Sequence, residues 1–431
     1  DKLISGETLT PEELKALEKP VKGNVKITKL DYDLKENAPQ GNATLAGATI
    51  AIINRTGGMV KGNDGINYFP DETIATLTTN ENGEAEYDGL PYGQYEAVET
   101  SAPNGYLLKG NTSVIFNITT NGETVELKGS GNTIEDQVIR GGVKIQKRDL
   151  ELKETTPQGD GSFEKIRIDI TNLSTHKVMV NGKVYQPGEV CASLYTDANG
   201  YIESANNLLP YGHYRADETE VSEGYLKQGV LSQTFDITSD GQMEDLTQTG
   251  RCFEDQVIRG GVKIQKRDME TGDTSPLGGA SFENIEVTIT NESKHHVLVN
   301  GKVYEPGEVC ATFHTDVNGS ITTSNDLLPY GSYKITETKV SEGYLLDGVL
   351  TQEIRIRENG TVVDATPEKN QIIPGVTEQH FKIRENGKIV DMSADKDSIK
   401  DWVQRGDFEI RKIDADTQKA MAGIPFKVTS L

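Results

Sequence analysis

The residues with the greatest chemical potential in this chain are a lysine, a glutamate and an aspartate that recur together at fixed places. In VKITK, residues 25–29, alternate side chains of a strand share a face, so Val25, Ile27 and Lys29 point one way. The same alternation sets Lys147 with Val143 and Ile145, Lys266 with Val262 and Ile264, and Lys412 with Phe408 and Ile410. Further along, Tyr95, Ala97 and Glu99 share a face, as do Tyr214, Ala216 and Glu218, and Tyr333, Ile335 and Glu337. Later still, Ile134, Asp136 and Val138 alternate, matched by Phe253, Asp255 and Val257 and by Ile399, Asp401 and Val403. One amine and two carboxyls are thus turned toward an apolar side three times over.

Burying these groups apart from one another would cost roughly several kcal/mol for each charge, so they must meet. Burial favours the neutral forms of amines and carboxyls alike, and a neutral amine is a nucleophile. The expected chemistry is attack of the lysine ε-amine on the aspartic carboxyl carbon. The glutamate then hydrogen-bonds the developing oxyanion and carries protons from the amine to the departing hydroxyl. One water leaves, one amide remains, and held proximity supplies the rate without a cofactor or metal. This is a single-turnover self-modification and not the cycle of an enzyme. A lysine that reaches out to solvent beside an exposed carboxylate is the plainer alternative. Recurrence on apolar faces in three repeats weighs against it.

The elements that must hold these groups are repeated strands. EDQVIRGGVKIQKRD at residues 135–149 recurs unchanged at 254–268, a shift of 119. LPYG begins at Leu90, Leu209 and Leu328, each preceded by a turn-forming run, NENG, DANG or DVNG. Such self-similarity means tandem domains. Residues 21–140, 141–259 and 260–405 read as three modules. Residues 406–431 read as the opening of a fourth, which makes the chain look like an internal segment of something longer. Residues 1–20 read as a linker with a short helix, in which Thr10 is the N-cap and Pro11 the first helical residue. The joints are short RGG or RGD sequences without Pro-rich or Ser-rich spacers, which favours a stiff rod. Lys266 and Lys412 lie 146 apart, 27 more than the 119 between Lys147 and Lys266, and IRENGTVVD at Ile356 is echoed by IRENGKIVD at Ile383. One Asn-Gly hairpin is duplicated there. Short strands punctuated by Gly, Asn and Pro indicate an all-β fold of tandem sandwiches.

Composition narrows the function. In 431 residues, 67 acidic against 44 basic side chains give a formal net charge of -23, which repels nucleic acid and anionic membranes. No signal peptide, membrane-spanning run or LPxTG motif occurs in the sequence. Three cysteines cannot build a disulfide framework; Cys191 and Cys310 are equivalent, Cys252 has no counterpart, and buried inert thiols are expected in preference to a Cys191–Cys252 bridge. There is no Ser-His-Asp or Cys-His arrangement, and the six histidines, including the adjacent pair His295 and His296, fit no metal spacing. DANG and DVNG read as hairpin turns and not as calcium loops.

These residues resemble the collagen-adhesin B-type domains (CnaB, also described as SpaA-like prealbumin-fold domains) of Gram-positive surface proteins and pili. The resemblance covers nearly the whole chain from Val21. The family's opening strand, Val-x-x-x-Lys-x-Asp, is matched by VKITKLD, by VKIQKRD twice and by FEIRKID. Its glutamate motif, Tyr-x-x-x-Glu-x-x-x-Pro-x-Gly-Tyr, is matched fully by YEAVETSAPNGY; YRADETEVSEGY and YKITETKVSEGY lack the proline but keep Glu, Gly and Tyr. The family places Asn, and in some members Asp, as acceptor in its last strand; here the matching positions are Asp136, Asp255 and Asp401.

The resemblance implies Ig-like, prealbumin-like sandwiches, crosslinked Lys29 to Asp136, Lys147 to Asp255 and Lys266 to Asp401 with the help of Glu99, Glu218 and Glu337. Each link closes a loop of about 100 residues, worth roughly 4–5 kcal/mol in chain-entropy models. It further implies a stalk or pilin-like spacer on a Gram-positive cell wall. Host extracellular matrix or glycan would be met by other parts of the protein. The alternative is an adhesin whose inserted hairpins, HKVMVNGKVYQPGEVC and HHVLVNGKVYEPGEVC, grip a host ligand themselves; extra structural strands are the plainer reading of those hairpins.

Overall fold

A computed structural model describes residues 8, 10–12, 20–345, 347–348, 354–356, 362–364, 373–405 and 410–429. Of the helix expected in residues 1–20, only Pro11 and Glu12 of its body are described, and both are helical. The rest of that expectation lies outside the described residues. The chain packs as two compact units, one comprising Asp1–Lys147, Glu164–Glu220 and Val230–Phe253, the other Arg148–Phe163, Val221–Gly229 and Glu254–Leu431.

In the first unit, the opening strand Lys22–Thr28 alternates buried and less buried residues, as the period-two pattern of Val25, Ile27 and Lys29 demands. It runs parallel to Thr124–Leu127 and antiparallel to Glu84–Pro91. A second sheet orders Ser113–Ile118, Gly93–Ser101, Thr49–Asn54 and Thr73–Thr78, all antiparallel. Val25 and Ile27 from one sheet meet Ile50, Ile52, Tyr95, Ala97, Phe116 and Ile118 from the other, which makes a sandwich. Past Lys29 the opening strand changes partner: Leu30–Asp31 runs parallel to Glu135–Val138, with Asp31 opposite Asp136. First and last strands of the repeat therefore lie side by side.

The part of the second repeat that belongs to this unit carries a similar four-stranded sheet. Val190–Tyr195, Arg167–Asn172, Gly212–Glu218 and Ser232–Ile237 form its four-stranded sheet. Arg140–Asp149 pairs with Tyr201–Glu203, Leu209–Pro210 and Met243–Leu246.

In the second unit, the third repeat orders Val309–His314, Glu286–Asn291, Gly331–Glu337 and Glu378–Ile383 in one sheet. In the facing sheet Arg259–Asp268 runs parallel to Ile399–Val403. The duplicated sequence resolves into two different structures. Ile354–Ile356 and Val362–Asp364 pair as a hairpin of their own. The later copy, Glu378–Ile383 and Ile389–Met392, takes the sheet positions that Ser232–Ile237 and Met243–Leu246 hold in the second repeat. The last strand is therefore not displaced by the 27-residue excess.

Of the expected inward face of Phe408, Ile410 and Lys412, Phe408 lies outside the described residues, and the structure corrects the other two. Ile410 is 47% exposed, Lys412 is exposed, and no strand forms among the described residues from Ile410 onward, where a single bridge joins Ile413 to Ala420. An alternating run is buried only when a second sheet covers it, and none covers this one among the described residues.

Candidate functional site

Lys29 sits where the opening strand leaves one partner for another, its backbone held by Gly83 and Asn37: the amide donates to the Gly83 carbonyl at 2.9 Å, and Asn37 Nδ2 donates to the Lys29 carbonyl at 2.7 Å. Asp136 lies on the adjacent last strand, and Glu99 lies on the opposing sheet, opposite Ile50. All three side chains are 0% exposed. Lys29 Nζ is 2.7 Å from Glu99 Oε1 and 2.8 Å from Asp136 Oδ2. These are contact distances, yet neither pair has hydrogen-bond alignment.

The third repeat repeats the geometry. Lys266 Nζ is 2.5 Å from Glu337 Oε2 and 2.7 Å from Asp401 Oδ2, with side-chain exposures of 2% for the lysine and 0% for both acids. Asp401 stands opposite Asp268, and Glu337 opposite Val287 on the other sheet. In the second repeat, buried Lys147 contacts buried Glu218. Asp255 is itself fully buried and accepts from Ser222 Oγ at 3.3 Å.

Burial dominates the electrostatics. It pushes the Glu99 carboxyl up to about 8, against the opposing pull of Lys29 and with added repulsion from Asp136. Glu337 is pushed up to about 8 for the same reason, Lys266 opposing and Asp401 adding. Burial thus favours the protonated form of each glutamate, the form that can donate to a neighbouring carbonyl oxygen and pass a proton on.

A second buried carboxylate in each repeat escaped the sequence reading. Asp31 accepts from Tyr106 OH at 2.7 Å, from the Leu34 amide at 2.7 Å and from Gln40 Nε2 at 3.1 Å; burial raises its pKa. Asp149 with Tyr225 and Gln158, and Asp268 with Tyr344, repeat the pattern. The available signal was an aspartate two residues after each lysine, on the same strand face.

The three thiols are buried and none is in a disulfide, so no Cys191–Cys252 bridge exists. Burial pushes Cys191 and Cys310 up to about 12, and their Sγ atoms donate to the carbonyls of Ile170 and Ile289 at 3.4 Å. The inserted hairpins are built into the sandwich. Val178 and Val180, like Val297 and Val299, are buried, and the turns Asn181-Gly182 and Asn300-Gly301 take the positive φ of a tight hairpin. Asp197 and Asp316 are used by their own turns, Asp197 accepting from the amides of Asn199 and Tyr201 and Asp316 from those of Asn318 and Ser320. Among the described residues no group of three or more His, Cys, Asp or Glu could hold a metal, and no helix is long and apolar enough to cross a membrane.

A family model described as SpaA, prealbumin-like fold domain, matches residues 23–133 and 260–371. The bone sialoprotein-binding protein of Staphylococcus aureus is 26% identical over 313 residues, which cover 69% of this chain and 24% of that protein. The serine-aspartate repeat-containing protein E of Staphylococcus aureus strain Newman is 27% identical over 282 residues, 62% of this chain and 22% of the relative. The chain thus spans about a quarter of the length of these curated relatives. Among solved structures, the Bacillus anthracis TIE protein matches with a TM-score of 0.47 and 22% identity over 86% of this chain and 50% of that one. BcpA, the major pilin subunit of Bacillus cereus, matches with a TM-score of 0.28 and 16% identity over 89% of this chain and 100% of that one.

Proposed function

The chain belongs to the SpaA family of prealbumin-like fold domains, and from that premise we propose that it is a structural stalk segment of a Gram-positive surface protein, each repeat closed by its own Lys–Asp amide. The bonds are Lys29 to Asp136, Lys147 to Asp255 and Lys266 to Asp401, with Glu99, Glu218 and Glu337 assisting. The observation that carries the reading is the burial of Lys29 Nζ 2.8 Å from Asp136 and 2.7 Å from Glu99.

The amine lone pair attacks Asp136 Cγ, forming the C–N bond. The protonated Glu99 carboxyl hydrogen-bonds the oxygen on which charge develops, takes a proton from the nitrogen and gives one to the departing hydroxyl. The Cγ–O bond breaks and one water is lost. Enclosure by two sheets fixes the reactants at contact distance, so orientation supplies the acceleration. Two ionisable groups become one neutral amide, which removes their desolvation cost.

For the whole protein we propose an extracellular, wall-attached location and a host matrix protein or glycan as partner, engaged by parts other than these repeats. One relative's name, bone sialoprotein-binding protein, supports that partner class. The buried valines of the inserted hairpins argue against the hairpins themselves gripping a ligand.

Intact mass tests the proposal. The purified chain is expected to weigh three waters less than its sequence, and Lys29→Met, Lys147→Met and Lys266→Met are each expected to restore one. A parent mass equal to that of the unmodified sequence overturns the crosslinks.

A further inference from the structure

A short loop in the first repeat is seated in the second. Gln40 is fully buried; its Nε2 donates to Asp31 at 3.1 Å, and its Oε1 accepts from the Met179 amide at 2.7 Å. Gly41 donates to the Lys177 carbonyl at 3.0 Å and accepts from the His176 amide at 2.9 Å. The Asn42 amide donates to the Tyr211 carbonyl at 3.1 Å, and its Oδ1 accepts from the Thr175 amide at 3.0 Å. Beside the loop, Arg140 at the joint reaches Asp33 at 2.8 Å and the Met179 carbonyl at 3.0 Å.

The loop after the second opening strand does the same to the third repeat. Gln158 Nε2 donates to Asp149 at 3.1 Å while its Oε1 accepts from the Leu298 amide at 2.8 Å. Gly159 exchanges backbone bonds with His296 and His295 at 3.0 and 2.9 Å. The Asp160 amide donates to the Tyr330 carbonyl at 3.2 Å, and its Oδ1 accepts from the Lys294 amide at 3.2 Å. Arg259 occupies the place of Arg140, bonded to Glu151 and the Leu298 carbonyl.

The fit is close enough to exclude a methyl group. Gly41 (φ +59) and Gly159 (φ +61) would each push a Cβ to 1.9 Å from the tyrosine carbonyl they face. In the third repeat the loop reads Leu277-Gly278-Gly279; Gly278 keeps φ +61 but has nothing within 4 Å, and Leu277 has no amide to bridge with.

We infer that the Gln-Gly-Asx loop is a docking plug whose partner is the following module of the same fold, received on the backbone ridge that leads into its inserted Asn-Gly hairpin. The plug fixes one module on the next, and the buried Asp31 or Asp149 anchors it from behind through the glutamine amide. The inserted hairpin thereby acquires a role as receptor. None of this depends on the amide chemistry proposed above.

Tryptic cleavage of the full chain after Arg140 and Arg259, followed by mass spectrometry, tests the inference. Gly41→Ala is expected to speed cleavage at Arg140 by about tenfold or more, and Gly159→Ala to do so at Arg259, each leaving the other tryptic sites as protected as in the parent. Gly278→Ala carries the same φ strain with no neighbour to strike, so it leaves both joints unchanged. Gln40→Leu, which copies the third repeat and adds no strain, opens Arg140 as well. The inference is overturned if neither Gly41→Ala nor Gln40→Leu opens the Arg140 site, or if Gly278→Ala opens the joints equally. The intact-mass deficit reports separately on the crosslinks.

Discussion

Replacing Lys29 by methionine removes the amine while keeping most of the buried stem, which isolates the covalent link from the packing around it. Lys29 and Asp136 are 107 positions apart (136 minus 29). In the chain-entropy model, closing a loop of that size withdraws about 16 cal/mol/K from the unfolded ensemble, or about 5 kcal/mol at room temperature. A repeat of roughly 120 residues unfolds with an entropy of about 0.25 kcal/mol/K near its midpoint, so losing the link lowers that midpoint by about 20 °C. Differential scanning calorimetry on the full chain reads the shift, and intact mass on the same sample reads the regained water. Glu99→Gln provides the companion: it is nearly isosteric, leaves the lysine in place, and is expected to give the same gain of one water and a similar drop if the glutamate is the proton carrier. A Lys29→Met chain that regains its water yet unfolds within about 5 °C of the parent would refute the loop-closure reasoning, because the bond would then hold nothing that the sandwich does not already hold.

Further outcomes follow from the same geometry. Glu99 and Glu337, raised to about 8, keep protons in the folded state that the unfolded chain has released above its ordinary carboxyl value of 4.5. Their contribution is therefore complete at low pH and is lost as pH rises from about 5 through about 8, so the thermal midpoint should fall across that window and fall less in Glu99→Gln/Glu337→Gln; a midpoint that rises there contradicts the burial argument. Cys191, Cys252 and Cys310 are buried and outside any disulfide, so Ellman's reagent should titrate no thiol in the native chain and three in denaturant. Val180→Asp puts an unpaired charge at a position 1% exposed, and should cost about 3 kcal/mol or more in chemical denaturation; a loss below about 1 kcal/mol would mean that the hairpin is not part of the core.

Much of this was legible in the sequence because period-two alternation carries real geometric information. Lys29 and Glu99 each follow two apolar residues in alternation, Asp136 sits between Ile134 and Val138, and each is buried with those residues. Alternation cannot say whether a second sheet arrives to cover a strand, which is why Lys412 is exposed although it sits in the same motif as Lys29. It is equally silent on which of two duplicated hairpins enters a sheet: Ile383 is buried at a sheet position, whereas among the described residues Ile354–Ile356 of the earlier copy pairs with Val362–Asp364. Asp31 was passed over because its partners, Tyr106 and Gln40, lie 75 and 9 residues away and share no periodicity with it. The contact between Gln40 and Met179 spans 139 residues, a distance over which one sequence offers no spacing rule at all.

The first and last strands of a repeat are immediate parallel neighbours, at Leu30–Asp31 with Glu135–Val138 in the first repeat and at Lys266–Asp268 with Ile399–Asp401 in the third. With the proposed Lys29–Asp136 amide in place, a pull on the chain that enters before Lys29 and leaves after Asp136 would cross the repeat through that one pair of side chains. About 350 Å of potential slack stays unspent between them. Everything threaded between the two anchors hangs off the line of tension, free to vary in length without changing how far the repeat extends. The extra strand pair of the third repeat, Ile354–Ile356 with Val362–Asp364, lies between Lys266 and Asp401 in the chain, inside that sheltered stretch.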